Sequence, residues 1–255
     1  MSDSLLFSRS LVVAMPAFNE GDGIAEFLSG IDDALSSWPG SAAIIVVDDR
    51  STDDTSEVIK RVQKELSRPI TLLRNEINVG HGPSTVRALT EGVRSGADFI
   101  VQVDGDGQFF PHEILLLARG LEQGADVVIG VRRGRRDPWF RRALSRVLRT
   151  YMRLVMRTTS SDPNCPFRAY RREVLSDLVE SLPEDPLVPT VYLTALADSS
   201  DFTVTEVAVQ NRERLGGKAQ GTMWGKRSHR ILIPSQLMRF VWRAFVESLI
   251  FARSR

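Results

Sequence analysis

The stretch Phe99-Ile-Val-Gln-Val-Asp-Gly-Asp-Gly-Gln108 passes from strand-forming residues to two carboxylates that a single glycine separates. Its first half is almost entirely apolar, which is typical of a strand buried on both faces. Asp104 and Asp106 then follow the carboxyl end of that strand, where open α/β sheets bind their ligands. The stretch therefore predicts an α/β fold with chemistry at one edge of its sheet.

The Asp-Gly-Asp-Gly motif allows two interpretations. Carboxylate oxygens are the ligands that Mg²⁺ and Mn²⁺ prefer, and Gly105 and Gly107 leave room for a phosphate to approach the backbone. The same four residues are also typical of a surface turn, because aspartate and glycine both favour turn conformations. Taken alone, the motif leaves the metal site and the plain turn open.

Strands and helices alternate on both sides of this stretch. Apolar runs predict strands at 11–15, 43–47, 70–73 and 127–131. Helices are predicted over 24–35, after the N-cap cluster 51–54 through 58–66, through 86–93, and from Pro111 through 114–117. This alternation predicts a mainly parallel central sheet with helices on both faces. The alternating residues 202–209 predict a late strand at the sheet edge, for which antiparallel pairing is an option.

Acidic side chains follow three of the predicted strands. Glu20 comes after the first strand, Asp48 and Asp49 end the second, and Asp104 and Asp106 end the fourth. Because the carboxyl ends of parallel strands meet at one edge of a sheet, we expect three loops to bring these acids to one crevice.

Charge is segregated along the chain, although the net charge is only +1. Residues 132–157 carry ten arginines and one acid, and residues 212–255 carry ten basic and two acidic side chains. Two basic blocks indicate an anionic partner. A nucleic-acid-binding protein would explain the arginines but not the acids at three strand ends, so no nucleic acid is expected as a partner.

The sequence also bears on the cellular compartment. Its single cysteine, Cys165, excludes a disulfide framework and fits a reducing environment. No stretch approaches about 18 uncharged apolar residues, so no membrane span is expected. These features predict a cytoplasmic location.

Six short motifs occur in the order that is typical of one enzyme family. They are Met15-Pro-Ala-Phe-Asn-Glu20, Val46-Val-Asp-Asp-Arg-Ser-Thr-Asp53, Asn78-Val-Gly-His-Gly82, Asp104-Gly-Asp-Gly-Gln108, Val127-Val-Ile-Gly-Val-Arg132 and Phe167-Arg-Ala-Tyr-Arg-Arg172. Together they resemble the inverting nucleotide-sugar glycosyltransferases of family 2, which have the GT-A fold, and especially the dolichol-phosphate mannose synthase-like branch. The resemblance implies a GT-A domain over residues 1–230, and the apolar spacing beyond it predicts an amphipathic C-terminal helix over residues 231–255.

The resemblance implies a site for a nucleoside diphosphate sugar, with GDP-hexose and UDP-hexose both open. The implied donor-binding residues are Pro16, Phe18, Glu20, Asp48, Asp49, Asp104, Gly105 and Arg132. Asp104 and Asp106 would be catalytic by binding Mg²⁺ or Mn²⁺ beside the diphosphate, with Gln108 as a third ligand. The cation would act as a Lewis acid for the departing nucleoside diphosphate. A sugar nucleotidyltransferase also uses an aspartate-rich metal site, but its glycine-rich first loop is absent.

The acceptor that the resemblance implies is a lipid-linked phosphate of the polyprenyl phosphate type. Its implied contacts are Arg132, Arg141, Arg142, Ser145, Arg212 and Lys218. Between residues 139 and 157, arginines and apolar residues recur on different faces of a basic amphipathic helix. A solvated helix face, or a helix packed on an acidic neighbour, would give the same pattern.

Two acceptor chemistries remain open. A phosphate whose second pKa is about 6 needs no general base at neutral pH. A sugar hydroxyl, as in cell-envelope glycan assembly, would need one, and Asp162 is then the candidate catalytic base; the alternative for Asp162 is a turn cap before Pro163. His81, which lies between two glycines, is predicted to enter a helix rather than to catalyse.

The C-terminal part carries two further predictions. The glycine-rich, basic segment 216–230 resembles a mobile loop that can close over the donor. After Pro234, apolar residues at helical spacing predict an amphipathic helix that is too polar to span a bilayer. This helix can lie in a membrane interface, pack on the catalytic domain or form a homo-oligomer. In the first case, contact with the inner face of the cell membrane would be peripheral and sensitive to salt.

Overall fold

The computed structural model describes residues 9–133, 150, 152–216 and 235–253 of the chain. Its strands are β1 (Leu11–Ala17), β2 (Ala42–Asp48), β3 (Ile70–Arg74), β4 (Phe99–Gln102), β5 (Val127–Arg133), β6 (Arg168–Arg171) and β7 (Val204–Gln210). Its helices are α1 (Ile24–Leu35), α2 (Thr55–Val62), α3 (His81–Arg94), α4 (Glu113–Glu122), α5 (Arg172–Glu180), α6 (Pro189–Asp198) and α7 (Ser235–Arg253). Within these ranges the strands form one sheet in the order β3-β2-β1-β4-β6-β5-β7.

The first four strands form the parallel half of the sheet. β1 pairs with β2 and β4, and β2 pairs with β3, all in parallel. Leu11, at the start of β1, lies beside both Ala42 and Phe99, so these three strands begin level with one another. The loops that follow β1, β2 and β4 therefore open at one edge of the sheet.

The later strands differ from the prediction in direction. β7 pairs in parallel with β5, with Val204 beside Val127, so the antiparallel option for the late strand is wrong. The antiparallel strand is β6, which lies between β4 and β5. The reason is the path of the chain. β5 ends at the edge that carries the acidic loops and β6 starts back from there, whereas α5 and α6 intervene before β7.

Apolar side chains cover both faces of the sheet. On one face α1 and α4 pack through residues such as Phe27 and Leu117, and on the other α3 and α6 pack through residues such as Leu89 and Leu193. Burial of one such side chain contributes about 1.5–3 kcal/mol, so the sheet is held firmly from both sides. The predicted α/β architecture with helices on both faces is confirmed.

The predicted C-terminal helix is present as α7 and contacts the rest of the protein through one of its faces. Phe251 is buried with its ring centroid 4.7 Å from that of Tyr192. Glu247 accepts a hydrogen bond from the Leu187 amide at 3.0 Å. Among the residues that the structure describes, no helix combines the length and the apolar character needed to cross a membrane.

Candidate active site

The loop after β4 carries the Asp-Gly-Asp-Gly motif against the end of β1. The Gly105 amide donates a hydrogen bond to the Pro16 carbonyl at 3.1 Å. A Cβ atom at position 105 would lie only 2.9 Å from that carbonyl oxygen, so a larger residue would push the loop away from β1. Gly107 has a φ of +68°, a conformation that favours glycine. The two glycines thus fix where Asp104 and Asp106 stand.

Asp104 and Asp106 form an electrostatically strained pair. The Asp104 Oδ1 atom is buried and, among the described residues, accepts no hydrogen bond. Burial, together with the charge of Asp104, raises the pKa of Asp106 to about 6. The His81 Nε2 atom lies 3.6 Å from Asp104 Oδ1, so this helix-entry residue borders the pair. Two repelling carboxylates, one with an unsatisfied oxygen, are suited to a cation.

The carboxylate pair does not by itself complete a cation's coordination shell. Within the described ranges, no three His, Cys, Asp or Glu side chains gather into a metal-binding cluster. The backbone of Gln108 is engaged within the loop, since its amide donates to Asp106 Oδ1 at 3.0 Å and its carbonyl accepts from the Arg212 amide at 2.9 Å. The residues fit Mg²⁺ or Mn²⁺ if further oxygen ligands come from a bound phosphate group.

Glu20 is held by an arginine that the sequence interpretation missed. The Arg214 guanidinium donates to both carboxylate oxygens of Glu20, with its Nε atom 3.0 Å from Oε2. The next amide, that of Leu215, donates to the Asp106 carbonyl at 3.1 Å. The segment 211–216 therefore lies across the aspartate loop and joins it to the loop after β1. The charges of Asp106 and Asp104 both act on Glu20, so the three acids share one electrostatic environment.

Arg212, a predicted acceptor contact, packs on the same loop. Its Nε atom donates to the Gly107 carbonyl at 2.7 Å. Its guanidinium also lies over the Phe110 ring, 5.0 Å from the centroid. These contacts make Arg212 a support for the aspartate loop. Its assignment to the acceptor stays a prediction.

A pocket of about 280 Å³ opens beside Glu20. Pro16 is buried within β1, and Phe18 is half-buried directly after that strand. The residues that line the pocket are Asn19, Glu20, Asp22, Gly23, Asp53, Asp54, Leu215 and Gly216. Glu20, which lines the pocket, shares the electrostatic environment of Asp104 and Asp106. Occupation of the pocket by the nucleoside part of a donor stays a prediction.

Asp48 supports the turn that follows β2. It is completely buried and accepts a hydrogen bond from the Ser51 amide at 2.9 Å. The Arg74 Nε atom lies 3.2 Å from its other oxygen. Asp48 therefore fixes the turn after β2, and its supporting role in a nucleoside pocket stays a prediction.

Asp49 orders the loop between β3 and α3. Its Oδ1 atom accepts hydrogen bonds from Asn75 Nδ2 at 2.7 Å and the Val79 amide at 2.9 Å, and its Oδ2 atom accepts one from the Gly80 amide at 2.8 Å. Only 3% of Asp49 is exposed. Its carboxylate is thus engaged inside the protein, and a contribution to nucleoside binding would act through this loop.

Arg132 and Asp162, which the sequence interpretation assigned to separate tasks, form one ion pair. The Arg132 Nε atom lies 2.7 Å from Asp162 Oδ2, and a terminal guanidinium nitrogen lies 2.8 Å from Oδ1. Burial alone would lower the pKa of Arg132, but the hydrogen bonds and charge of Asp162 raise it overall, and Asp104 adds to this. A carboxylate held by a bidentate arginine is a weak base. The pair lies at the carboxyl end of β5, within the field of the aspartate loop.

Several predicted residues lie outside the part of the chain that the structure describes. They are Arg141, Arg142, Ser145 and Lys218. Most of the predicted basic helix between residues 139 and 157 and nearly all of the predicted loop 216–230 lie there as well. Their roles stay predictions from the resemblance.

Glu20 offers a test of the pocket's electrostatics through pH. Burial raises its pKa from 4.5 to about 7, with Asp106 and Asp104 acting in the same direction and Arg214 opposing them. The folded protein therefore binds more protons than the unfolded chain between about pH 4.5 and 7, and stability falls as pH rises through that window. Glu20→Gln is expected to remove a pH-dependent contribution on the order of 3 kcal/mol.

Denaturant unfolding at a series of pH values measures this effect. Glu26→Gln, which changes an exposed carboxylate of α1, is the matched control and should keep the wild-type pH dependence. In Glu20→Gln, a smaller pH dependence of the free energy of unfolding, which comes from Asp106, should remain below about pH 6. If the free energy of unfolding of Glu20→Gln depended on pH as strongly as that of the wild type, the buried, acid-rich environment described for Glu20 would be contradicted.

Comparison with solved structures defines the class of fold. Glucosyl-3-phosphoglycerate synthase from Mycobacterium tuberculosis, solved with Mn²⁺, UDP-glucose and glycerol 3-phosphate, superposes with a TM-score of 0.65 at 21% sequence identity. The match covers 96% of this chain and 80% of the synthase chain. A complex of the same synthase with Mn²⁺, UDP-glucose and phosphoglyceric acid gives a TM-score of 0.67 at 19% identity. The fold is therefore the GT-A glycosyltransferase fold that the motifs implied.

Sequence comparison gives the family. The family model described as Glycosyl transferase family 2 matches residues 12–179, so the chain belongs to glycosyl transferase family 2. The predicted family is confirmed.

Two curated relatives are undecaprenyl-phosphate 4-deoxy-4-formamido-L-arabinose transferases. The protein from Edwardsiella ictaluri is 32% identical over 212 residues, which are 82% of this chain, and that from Klebsiella pneumoniae is 28% identical over 216 residues, which are 83%. The matches span 62% of the length of each relative.

Proposed function

We propose that this chain transfers a hexose, with inversion, from a nucleoside diphosphate sugar to a lipid carrier of the polyprenyl phosphate type, with the help of a divalent cation. The observation that carries the proposal is the Asp104–Asp106 pair, which shares its electrostatic environment with Glu20 in a family 2 chain. The curated relatives, which are named for transfer to undecaprenyl phosphate, support the acceptor class.

The donor half of the reaction follows from the aspartate loop. Asp104 and Asp106 would hold Mg²⁺ or Mn²⁺, which when bound supplies Lewis-acid stabilisation of the leaving diphosphate. The unsatisfied Asp104 Oδ1 and the raised pKa of Asp106 support this assignment, because both groups gain from a nearby positive charge. Arg214, which is paired with Glu20 beside this loop, would be a further cation for the diphosphate. Solved complexes of the mycobacterial synthase contain Mn²⁺ with UDP-glucose, which supports the same pairing of cation and nucleotide.

The acceptor half follows from the Arg132–Asp162 pair. Because Asp162 is engaged by Arg132, it is poorly suited to take a proton from a hydroxyl group. A phosphate acceptor makes no such demand, since its oxygen is already largely ionised at neutral pH. Arg132, oriented by Asp162, would instead place a planar cation beside the reacting phosphates. The ion pair thus favours a phosphate acceptor.

Transfer to a sugar hydroxyl is the second candidate. It would require Asp162 to leave Arg132, from which it accepts backbone and side-chain hydrogen bonds, and act as a base. For a lipid-phosphate acceptor, the cytoplasmic face of a membrane is the proposed site of action, because the curated relatives are named for transfer to a lipid phosphate.

Product analysis tests the proposal. The protein is incubated with Mn²⁺ and a panel of radiolabelled GDP- and UDP-hexoses, with undecaprenyl phosphate, a sugar alcohol or 3-phosphoglycerate as acceptor. The expected result is label in the organic phase with undecaprenyl phosphate and one class of donor, lost on chelation of the cation. Label transferred only to a hydroxyl acceptor would overturn the lipid-phosphate assignment, and no transfer with any donor would overturn the enzymatic one.

A further inference from the structure

The fold brings together the ends of the two basic blocks of the chain. Met152 and Met156, near the end of the arginine-rich block 132–157, pack in one cluster with Phe251 of α7, which belongs to the basic block 212–255. In the sequence these blocks are separated by residues 158–211, which carry three basic and nine acidic side chains. The structure thus joins positive charge that the sequence keeps apart.

The helix α7 exposes a large apolar face next to this cluster. Trp242 is 66% exposed, Ile250 is 65% exposed, and Phe245 and Val246 are 38% and 37% exposed. Helical spacing places these four side chains, called here the outer face, opposite the buried Phe251. The Trp242 and Phe245 ring centroids are 6.0 Å apart, so the two aromatic rings of this face adjoin each other. Exposed apolar patches of this kind mark interaction sites in soluble proteins.

The charge around the outer face is positive. The sequence of α7 contains three arginines and a single acid, Glu247. That acid is engaged at the inner side by the Leu187 amide. Arg243 is exposed and flanks the outer face. Basic and apolar side chains are also exposed in the segment that contributes Met152 and Met156 to the cluster. Leu154 is 77% exposed, and Arg153 and Arg157 are exposed too.

We infer that the outer face of α7, with Leu154 beside its cluster, is a docking surface for an anionic lipid bilayer. A helix with tryptophan and aliphatic residues on one face and arginines at its flank lies in the plane of a membrane, with its apolar side sunk about 5–10 Å into the boundary region. Arginine side chains can then reach lipid phosphates while their aliphatic stems stay among the apolar groups. A second copy of this chain fits the outer face less well, because in a symmetric dimer the arginines at the edges of the two faces would repel each other.

The docking surface is built from α7 and its cluster, so it does not require the acceptor to be a lipid. It nevertheless agrees with the proposed function, because a lipid-anchored phosphate is reached only at a bilayer surface. The two can fail separately, since vesicle binding and nucleotide binding are measured by different experiments on the same protein.

Vesicle flotation tests the docking surface. The full chain is mixed with vesicles of phosphatidylcholine alone or of phosphatidylcholine and phosphatidylglycerol in equal amounts. Binding is expected only with phosphatidylglycerol, and it should weaken between about 0.1 M and 1 M salt, where the Debye length falls from about 10 Å to 3 Å. The double variant Trp242→Ser/Ile250→Ser is expected to lose binding by about tenfold or more.

Matched variants keep the test decisive. Leu116→Ser removes a 45% exposed apolar side chain from α4 and should bind vesicles like the wild type. Arg243→Glu reverses one charge at the flank and should lose phosphatidylglycerol binding while keeping its thermal stability. Binding of GDP or UDP with Mn²⁺ should be the same in every variant, which shows that the donor site is intact.

Three results would overturn the inference. The first is failure of the wild type to float with phosphatidylglycerol vesicles. The second is equal binding by the wild type and Trp242→Ser/Ile250→Ser. The third is a wild-type dimer in light scattering that the double variant converts to a monomer, with no vesicle binding by either; the outer face would then contact a second copy.

Discussion

Asp104→Asn is expected to lower turnover by roughly 10³-fold while leaving the protein folded. A metal-bound carboxylate that stabilises the leaving diphosphate supplies several kcal/mol, and each 1.36 kcal/mol corresponds to about tenfold in rate. The same substitution removes a charge that repels Asp106 and Glu20, as their raised pKa values indicate. The free energy of unfolding should therefore be unchanged or higher, which is typical of a residue kept for function.

The control for this substitution lies at the other end of the same strand. Asp98 precedes β4 and accepts a hydrogen bond from the Ser10 amide at 2.8 Å. Asp98→Asn should leave turnover close to that of the wild type. Initial rates at saturating Mn²⁺, with unfolding curves for all three proteins, give the comparison. Full Mn²⁺-supported turnover by Asp104→Asn would contradict the metal assignment.

The second large effect is expected at the Arg132–Asp162 pair. The two side chains are only 14% and 17% exposed, so removing either leaves its partner charged and largely buried. Arg132→Gln and Asp162→Asn should each destabilise the protein by about 2–4 kcal/mol, and the double variant should regain most of that loss. Turnover should fall by about 10²-fold in Arg132→Gln and should not return in the double variant, since the guanidinium is absent from both.

A double-mutant cycle of unfolding free energies and turnover rates measures this coupling. The pH dependence of turnover distinguishes the two possible roles of Asp162. If Asp162 orients Arg132, Asp162→Asn keeps the shape of the pH profile at a lower rate. If Asp162 is a general base, Asp162→Asn loses the part of the pH–turnover profile in which turnover rises as Asp162 ionises. Additive effects on stability, with an interaction below about 0.5 kcal/mol, would contradict the pairing.

Sequence reasoning located the aspartate loop because the information was local. The apolar run before Asp104 identifies a buried strand, and the carboxyl ends of parallel strands share one edge of the sheet, so the grouping of Glu20 with Asp104 and Asp106 follows from the order of the elements. The helices on both faces followed from periodicity in the same way.

The partners of these acids could not be found in that way. Arg214 and Glu20 are separated by 194 positions, and no local pattern links an arginine after the last strand to an acid after the first. The bond between Arg132 and Asp162 likewise depends on β6, which returns from the edge where β5 ends. Sequence spacing determines which edge a side chain reaches, but not which neighbour it meets there.

The strand β6 was missed because it contradicts the usual distribution of arginine. It has only four residues, and Arg168 within it is completely buried, whereas arginine is normally exposed. The structure explains this exception. The Arg168 guanidinium donates to the Pro163 and Cys165 carbonyls and to the Thr194 hydroxyl, at 2.6, 2.7 and 2.7 Å. Arg168 thereby orders the turn that carries Asp162.

Titration calorimetry with GDP and UDP, in the presence of Mn²⁺ or of a chelator, tests the central claim most directly. We predict that at least one of the two nucleotides binds with Mn²⁺, that chelation weakens its affinity by about tenfold or more, and that Asp104→Asn with Mn²⁺ resembles the chelated wild type. Equal affinity with and without the cation, or no uptake of either nucleotide, would contradict a diphosphate site built on Asp104 and Asp106.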